Sequence, residues 1–226
     1  MISLEDILKN QKDVKVIDSS IDYKNYIAFD LSAKHTDQLN LDLTDSEKFE
    51  GFVENHLAEN KAKVAFGGYL EHRNLYKRSE TFNDKNTDER NIHIGLDLWI
   101  KAGTSVLSAL DGKIHSFQNN TAFGDYGPTI ILEHEIEDVS FYTLYGHLSL
   151  ESLEGKKEGQ FVKEGEKIAE LGKPPINGDY APHLHFQIIK DIQNKKGDYP
   201  GVCSVKEVEF YKENCPDPNL LLKITQ

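Results

Sequence analysis

Hydrophobic and polar residues follow two different spacings along the chain, and the change falls near residue 62. The apolar residues of segment 4–8 are spaced as on one face of a helix, whereas 14–17 and 26–31 have the composition of short strands. A second helix is predicted to begin at the capping sequence 44–46. These patterns predict a small α+β appendage over residues 1–62.

A β-rich segment is predicted over residues 63–226. After a polar stretch at 74–91, predicted to be a long loop, short apolar runs alternate with turn sequences. The runs fall at residues 96–100, 105–110, 113–117, 129–134, 140–145 and 183–189. Asp111-Gly112 has the sequence of a hairpin turn between the second and third runs. The predicted fold class is mainly β, as an antiparallel sandwich or open sheet.

Composition and charge narrow the classes of function. The chain has 226 residues, 38% of them hydrophobic, which is enough to bury a core. Its 26 basic and 38 acidic residues give a net charge of −12, which disfavours binding to nucleic acid. The start of the chain lacks the features of a signal peptide, and no apolar run is long enough to span a membrane. We therefore expect a cytoplasmic protein, or a periplasmic or secreted one if the sequence was trimmed.

The chain contains two cysteines, Cys203 and Cys215. They are expected to be free thiols, because the cytosol is reducing.

The first candidate motif is the pentapeptide from His93 to Asp97, with the pattern His-x-Gly-x-Asp. Residues four apart in a strand point to the same face, so these two side chains are predicted to converge on one ion. Gly95 lies between them on that face, where a missing side chain leaves room for a metal or a substrate.

Two further motifs supply histidines. His183-Leu184-His185 places two imidazoles on one face of a strand, so that one is able to bind a metal while the other reaches a substrate. Tyr145-Gly146-His147 places a third imidazole at the end of an apolar run. Taken singly, the first of these motifs is equally compatible with a surface pair, and the second is more typical of an ordinary solvent-facing turn histidine.

In this order, the three motifs resemble the lysostaphin/LytM-type zinc metallopeptidases, which contain a duplicated hybrid motif and many of which cut peptides of bacterial cell walls. The resemblance covers about residues 90–190 and implies the β fold of that family. It also implies one Zn²⁺ per chain, held by His93, Asp97 and His185, and it implies His147 and His183 as the catalytic histidines.

The chemistry of that ligand set is consistent with hydrolysis. Two imidazoles and one carboxylate leave a tetrahedral zinc with one open position for water. The metal lowers the pKa of this water and polarises a scissile carbonyl. Either His147 or His183 is then suited to move the water's proton or to protonate a leaving amine, and the sequence leaves their roles open.

The chain departs from the family in two places that are expected to alter the substrate groove: segment 173–182 and Gln187. Segments 68–76, 87–90 and 215–220 resemble a signal-less branch of the family, which implies an intracellular peptide or amide substrate.

Several polar residues lie outside the three motifs. A basic cluster before the first motif is predicted either to line the groove and bind a substrate carboxylate or, more commonly, to form a solvated loop patch. Two residues of a predicted turn and two strand histidines are predicted to be structural. The basic cluster comprises His72, Arg73, Tyr76 and Arg78, and the structural group comprises Asp125, Tyr126, His115 and His134.

The sequence is compatible with three functions. The leading one is a zinc-dependent endopeptidase-like hydrolase, with peptidoglycan-derived peptides as substrates. The first alternative is a non-catalytic binding or regulatory module that uses the same groove. The second is a zinc amidase that acts on a small intracellular substrate.

Overall fold

A computed structural model of the protein describes residues 2–39, 43, 45–74 and 88–225. These residues form β-strands, α-helices and two short 3-10 helices. The strands are β1 (Tyr26–Ala28), β2 (Val64–Gly67), β3 (Ile92–His93), β4 (Leu96–Trp99), β5 (Ser105–Leu107), β6 (Gly112–Asn120), β7 (Gly127–Ile136), β8 (Val139–Gly146), β9 (Phe161–Val162), β10 (Lys167–Glu170), β11 (His183–Ile189) and β12 (Val202–Cys203). The helices are α1 (Leu4–Asn10), α2 (Ala33–Leu39), α3 (Ser46–Glu59), α4 (Val208–Asn214) and α5 (Asn219–Leu222).

Eight strands form one sheet in the order β1-β2-β4-β11-β8-β7-β6-β9. β1 and β2 are parallel, and the other neighbouring pairs are antiparallel. β5 with β10, and β3 with β12, form two small antiparallel sheets. The mainly β fold class is confirmed, although the large sheet is mixed rather than wholly antiparallel.

The central strand β11 separates the hydrophobic core from the candidate site. Its side chains alternate between two faces, and every residue of the strand is buried. Leu184, Phe186 and Ile188 point into the largest apolar cluster. His183 and His185 therefore point to the opposite face.

The N-terminal residues contribute to the same core. α1 and α3 begin where the sequence predicts helices, with Ser3 and Asp45 as their capping residues. The strand predicted at 14–17 is wrong: this segment runs beside β5 and makes only one bridge, from Ile17 to Val106. The boundary at residue 62 stays a prediction; in the structure β1 and β2 pair across it.

No helix in the described part of the chain is long and apolar enough to span a bilayer.

The hairpin predicted at Asp111-Gly112 is also wrong. The strands on either side of it belong to different sheets, since β5 pairs with β10 and β6 pairs with β7 and β9. The glycine is explained by packing: a Cβ at Gly112 would lie 2.6 Å from the carbonyl oxygen of Glu133. Close approach of two backbones, rather than a turn, requires glycine here.

A tight hairpin instead joins β7 and β8 at Glu137 and Asp138. Both residues have positive φ angles, 52° and 63°, as a two-residue type I′ turn requires. Neither residue is glycine or asparagine, so the sequence gives little sign of this turn.

His134 on β7 is a structural histidine, and its burial makes it sensitive to acid. Its Nδ1–H donates to the carbonyl of Asp111 at 2.9 Å, and the Thr143 hydroxyl lies 2.7 Å from Nε2. Burial lowers its pKa to about 4. The unfolded chain binds the proton near pH 6.5, so the stabilisation from the neutral ring is present above pH 6.5 and is lost as pH falls toward 4.

We expect this one residue to remove about 3 kcal/mol from the free energy of unfolding between pH 6.5 and pH 4. His134→Gln retains an amide donor and acceptor but does not titrate. Urea unfolding of the metal-free protein should therefore show that the free energy of unfolding falls less between pH 6.5 and pH 4 in the variant than in the wild-type protein. Equal pH slopes for the two proteins would contradict the assignment.

Candidate metal centre

Three side chains from three strands converge at one point of the structure. His93 ends β3, Asp97 lies on β4, and His185 lies opposite Asp97 in the β4–β11 register. The distance from His93 Nε2 to His185 Nδ1 is 2.9 Å, and Asp97 Oδ1 lies 3.2 Å from each of these nitrogens. All three side chains are buried. They form the group of possible metal-ligating residues found in the described part of the chain.

The segment that carries the first motif is not one continuous strand. β3 ends at His93 and β4 begins at Leu96, with a bend between them. Gly95 leaves room as the sequence suggested, but the imidazole of His185 occupies that room: a Cβ at Gly95 would lie 2.4 Å from its Cε1 atom. The glycine is thus needed so that the His185 imidazole can approach.

Hydrogen bonds on the outer side of each imidazole fix which nitrogen carries the proton. His93 Nδ1 lies 2.9 Å from the carbonyl oxygen of Gly68, which only accepts, so the proton is on Nδ1. His185 Nε2 lies 3.0 Å from Oε1 of Gln187, whose amide is oriented by its donation to the carbonyl of Pro200. The inward atoms, His93 Nε2 and His185 Nδ1, are therefore both lone-pair donors.

This arrangement fits a cation. Two unprotonated nitrogens and one carboxylate oxygen face one another with no proton assigned between them, which is unfavourable unless a positive ion lies there. Imidazole and carboxylate ligands suit Zn²⁺, and the outward N–H···O contacts are those that orient metal-ligating histidines.

Gln187 lies behind His185 and does not form a wall of the groove, contrary to the expectation from sequence. It is fully buried, and its amide nitrogen also contacts Sγ of Cys215 at 3.3 Å. Both Cys203 and Cys215 are free and buried, as predicted.

Arg73 binds the carboxylate of Asp97. Its Nη1 donates to Asp97 Oδ2 at 2.6 Å, and its Nε donates to Glu71 at 2.5 Å. Burial opposes ionisation of Asp97, but His93 and the Arg73 guanidinium outweigh it and hold the pKa of Asp97 well below its usual value. Arg73 is only 1% exposed, so the interpretation as a solvated patch is wrong for this residue.

The other members of the basic cluster lie elsewhere. His72 is exposed and forms an isolated bridge with Ile92. Tyr76 and Arg78 lie outside the described residues.

His147 and His183 lie beside the three-residue cluster, with ring centroids 4.2 Å apart. Each donates its Nδ1–H to a backbone carbonyl: His147 to Asn177 at 2.8 Å and His183 to Ala181 at 2.7 Å. Burial lowers the pKa of both imidazoles, so both are neutral at pH 7 with Nε2 as the basic atom.

The two acceptors belong to segment 173–182. This segment therefore helps to build the site, as its departure from the family suggested. His147 itself has a left-handed backbone conformation, with φ of 63°.

Aromatic side chains hold these imidazoles in place. Trp99 stacks on His183 with ring centroids 5.7 Å apart, and the Tyr180 ring lies edge-on to His147 at 5.1 Å. Tyr126 was predicted to be structural, but its hydroxyl lies 3.4 Å from His185 Nε2 and its ring is 5.6 Å from that of His147. The apolar pattern marked these residues as core or turn positions, so the sequence carried no signal of their place in the site.

These residues surround a cavity of about 220 Å³. Its lining includes Phe49 of α3. Besides Arg73 and Asp97, its charged members have both signs: Arg90, Lys195, Asp125 and Asp198. The cavity thus combines a buried imidazole-rich floor with a mixed-charge lining, which suits a polar ligand.

Comparison with known proteins matches this region of the chain. The model of Peptidase family M23 matches residues 91–198. An uncharacterized metalloprotease of Haemophilus influenzae is 35% identical over 95 residues, which are 42% of this chain and 18% of that protein. The peptidoglycan DD-endopeptidase ShyB of Vibrio cholerae is 32% identical over 112 residues, which are 48% of this chain and 24% of that protein. The chain therefore spans less than a quarter of the length of these relatives.

Among solved structures, the catalytic domain of lysostaphin from Staphylococcus simulans is 24% identical, with a TM-score of 0.39. The similarity covers 68% of this chain and 94% of that domain. The family match encloses all three motifs, from His93 to His185, and confirms the resemblance seen in the sequence. Residues 91–198 thus match the domain of Peptidase family M23, the lysostaphin/LytM family of metallopeptidases.

Proposed function

We propose that the protein is a zinc-dependent hydrolase of peptide or amide bonds. The zinc ligands are His93 Nε2, Asp97 Oδ1 and His185 Nδ1. The observation that carries this proposal is the convergence of these three proton-free atoms, each within 3.2 Å of the others. A non-catalytic module would not need two further neutral imidazoles beside them.

Zinc held by His93, Asp97 and His185 would supply a Lewis acid for a scissile carbonyl and for a water molecule. His147 and His183 supply the proton transfers. Their Nδ1–H groups are held by carbonyls, so Nε2 is the atom that takes a proton from the attacking water and returns one to the leaving amine. His183 Nε2 lies 3.9 Å from Asp97 Oδ1, which places it next to the ligand cluster.

Peptides derived from peptidoglycan are the proposed substrates. The Vibrio cholerae relative is a peptidoglycan DD-endopeptidase. The mixed charges around the cavity suit peptides that carry both amino and carboxyl groups.

A zinc amidase that acts on a small substrate is the second candidate. The observation that favours it is the small cavity, of about 220 Å³, with Phe49 of α3 in its lining. Intact peptidoglycan and its short soluble fragments are therefore the two substrates to compare in an assay.

Metal content tests the proposal. We expect the purified protein, supplied with zinc and dialysed, to hold about one zinc per chain by elemental analysis. His185→Ala should hold much less, because it removes one of three protein ligands. His115→Ala is the matched control, since His115 contacts Ser116 and Tyr142 instead of the cluster. Wild-type protein that retains no metal would overturn the proposed function.

A further inference from the structure

We propose that Arg73 is a positioning residue that fixes Asp97 as a metal ligand through one oxygen, and that it couples the N-terminal segment to the metal centre. The inference rests on the proposed function, because it assigns a role to a partner of Asp97. Neither Arg73 nor Glu71 belongs to the three motifs that identify the family.

The two oxygens of Asp97 have separate partners. Oδ2 accepts from Arg73 Nη1 at 2.6 Å, while Oδ1 lies 3.2 Å from His93 Nε2 and 3.2 Å from His185 Nδ1. A carboxylate without the Arg73 contact is able to rotate and offer both oxygens to a cation. With Arg73 in place, the charge-assisted bond reserves Oδ2 and leaves Oδ1 as the inward atom.

Glu71 holds the guanidinium from its other side. Its Oε2 accepts from Arg73 Nε at 2.5 Å, and its Oε1 accepts from the backbone N–H of Leu31 at 3.0 Å. Leu31 lies three residues after β1. A chain of hydrogen bonds therefore runs from the N-terminal segment through Glu71 and Arg73 to Oδ2 of Asp97, the oxygen that faces away from His93 and His185.

The charges support a role in orientation rather than in substrate binding. Arg73 is 1% exposed, and its Nε and Nη1 both bind carboxylates of the protein. The Glu71 charge offsets that of the guanidinium, which limits its repulsion of a bound cation. What remains is the geometric effect of a planar fork that binds two carboxylates at once, which lysine does not reproduce.

Zinc affinity and the cobalt spectrum test this inference. Arg73→Met keeps an unbranched apolar stem and removes the fork. We expect zinc affinity, measured by chelator competition on folded protein, to fall about 10- to 100-fold. The visible absorption of the cobalt(II) form should weaken, because Asp97 is then free to bind through both oxygens and raise the coordination number. Arg73→Lys should show an intermediate affinity, since it restores the charge but not the fork.

A second variant covers the case in which Arg73→Met does not fold. Glu71→Gln keeps the shape of the side chain but replaces one of its two acceptor oxygens by an NH2 donor, so that Leu31 and Arg73 can no longer each donate to a separate oxygen. We expect it to lower zinc affinity several-fold with circular dichroism unchanged.

The outcomes separate this inference from the proposed function. Wild-type zinc affinity and an unchanged cobalt spectrum in folded Arg73→Met would overturn the role of Arg73. If that variant does not fold, unchanged affinity in Glu71→Gln would overturn it equally. Failure of the wild-type protein to bind zinc would instead overturn the proposed function itself.

Discussion

A Gly95→Ala variant is expected to lose zinc binding almost completely. A Cβ at this position would lie 2.4 Å from Cε1 and 2.5 Å from Nε2 of His185, far inside van der Waals contact. The ring cannot easily retreat, because Gln187 and Tyr126 contact the same edge of it. We therefore expect zinc affinity to fall at least about 100-fold, as for loss of an oriented ligand, when it is measured by chelator competition.

Gly51→Ala is the matched control for this substitution. A Cβ at Gly51, on α3, meets no atom within 4 Å. Alanine has the higher helix propensity, so this variant should bind zinc normally and be slightly more stable. If Gly95→Ala bound zinc as tightly as the control, then the inferred packing of His185 against residue 95 would be incorrect.

His147→Ala and His183→Ala are expected to retain zinc while losing turnover. Neither residue belongs to the cluster of His93, Asp97 and His185, so metal content should stay near one per chain. Loss of a positioned acid or base typically lowers rates by about 10²- to 10⁴-fold. We expect a fall of that size in kcat for each variant, measured by release of peptide fragments from peptidoglycan.

The double variant should fall by less than the product of the two single effects, because both imidazoles serve the same proton transfers. Full activity in either single variant would remove that histidine from the proposed chemistry. Loss of zinc together with activity would show instead that the residue supports the ligands rather than the reaction.

Much of the site was predictable from the sequence because several of its residues lie close together along one strand. The i, i+2 relation of His183 and His185 on a strand requires both to share a face. The contribution of β11 to the site also follows from its apolar alternation, since Leu184 and Phe186 must point into the core. The alternation of apolar and polar residues also predicted most strands of the large sheet.

The partners of the site residues were not predictable in this way. Gly68 and Gln187 fix the tautomers of His93 and His185, and Arg73 binds Asp97, from distant or unmarked positions of the chain. Periodicity states which face a side chain occupies, but not which loop lies against it. The incorrect hairpin prediction at Asp111-Gly112 has the same origin. Glycine is required there because the backbone of β7 lies close to it, and not because the chain turns.

At His147, the residue that would be most stable in the left-handed backbone conformation is glycine, which has no imidazole. An L-residue with φ near 63° costs about 1 kcal/mol relative to glycine, and the conformation is held by bonds from its N–H to the Tyr126 carbonyl and from the Gly172 N–H to its own carbonyl. Selection for thermostability alone would favour glycine here and discard the imidazole. Directed evolution of this protein therefore has to screen for turnover at every round, or its most stable descendants will lack the imidazole that we propose for proton transfer.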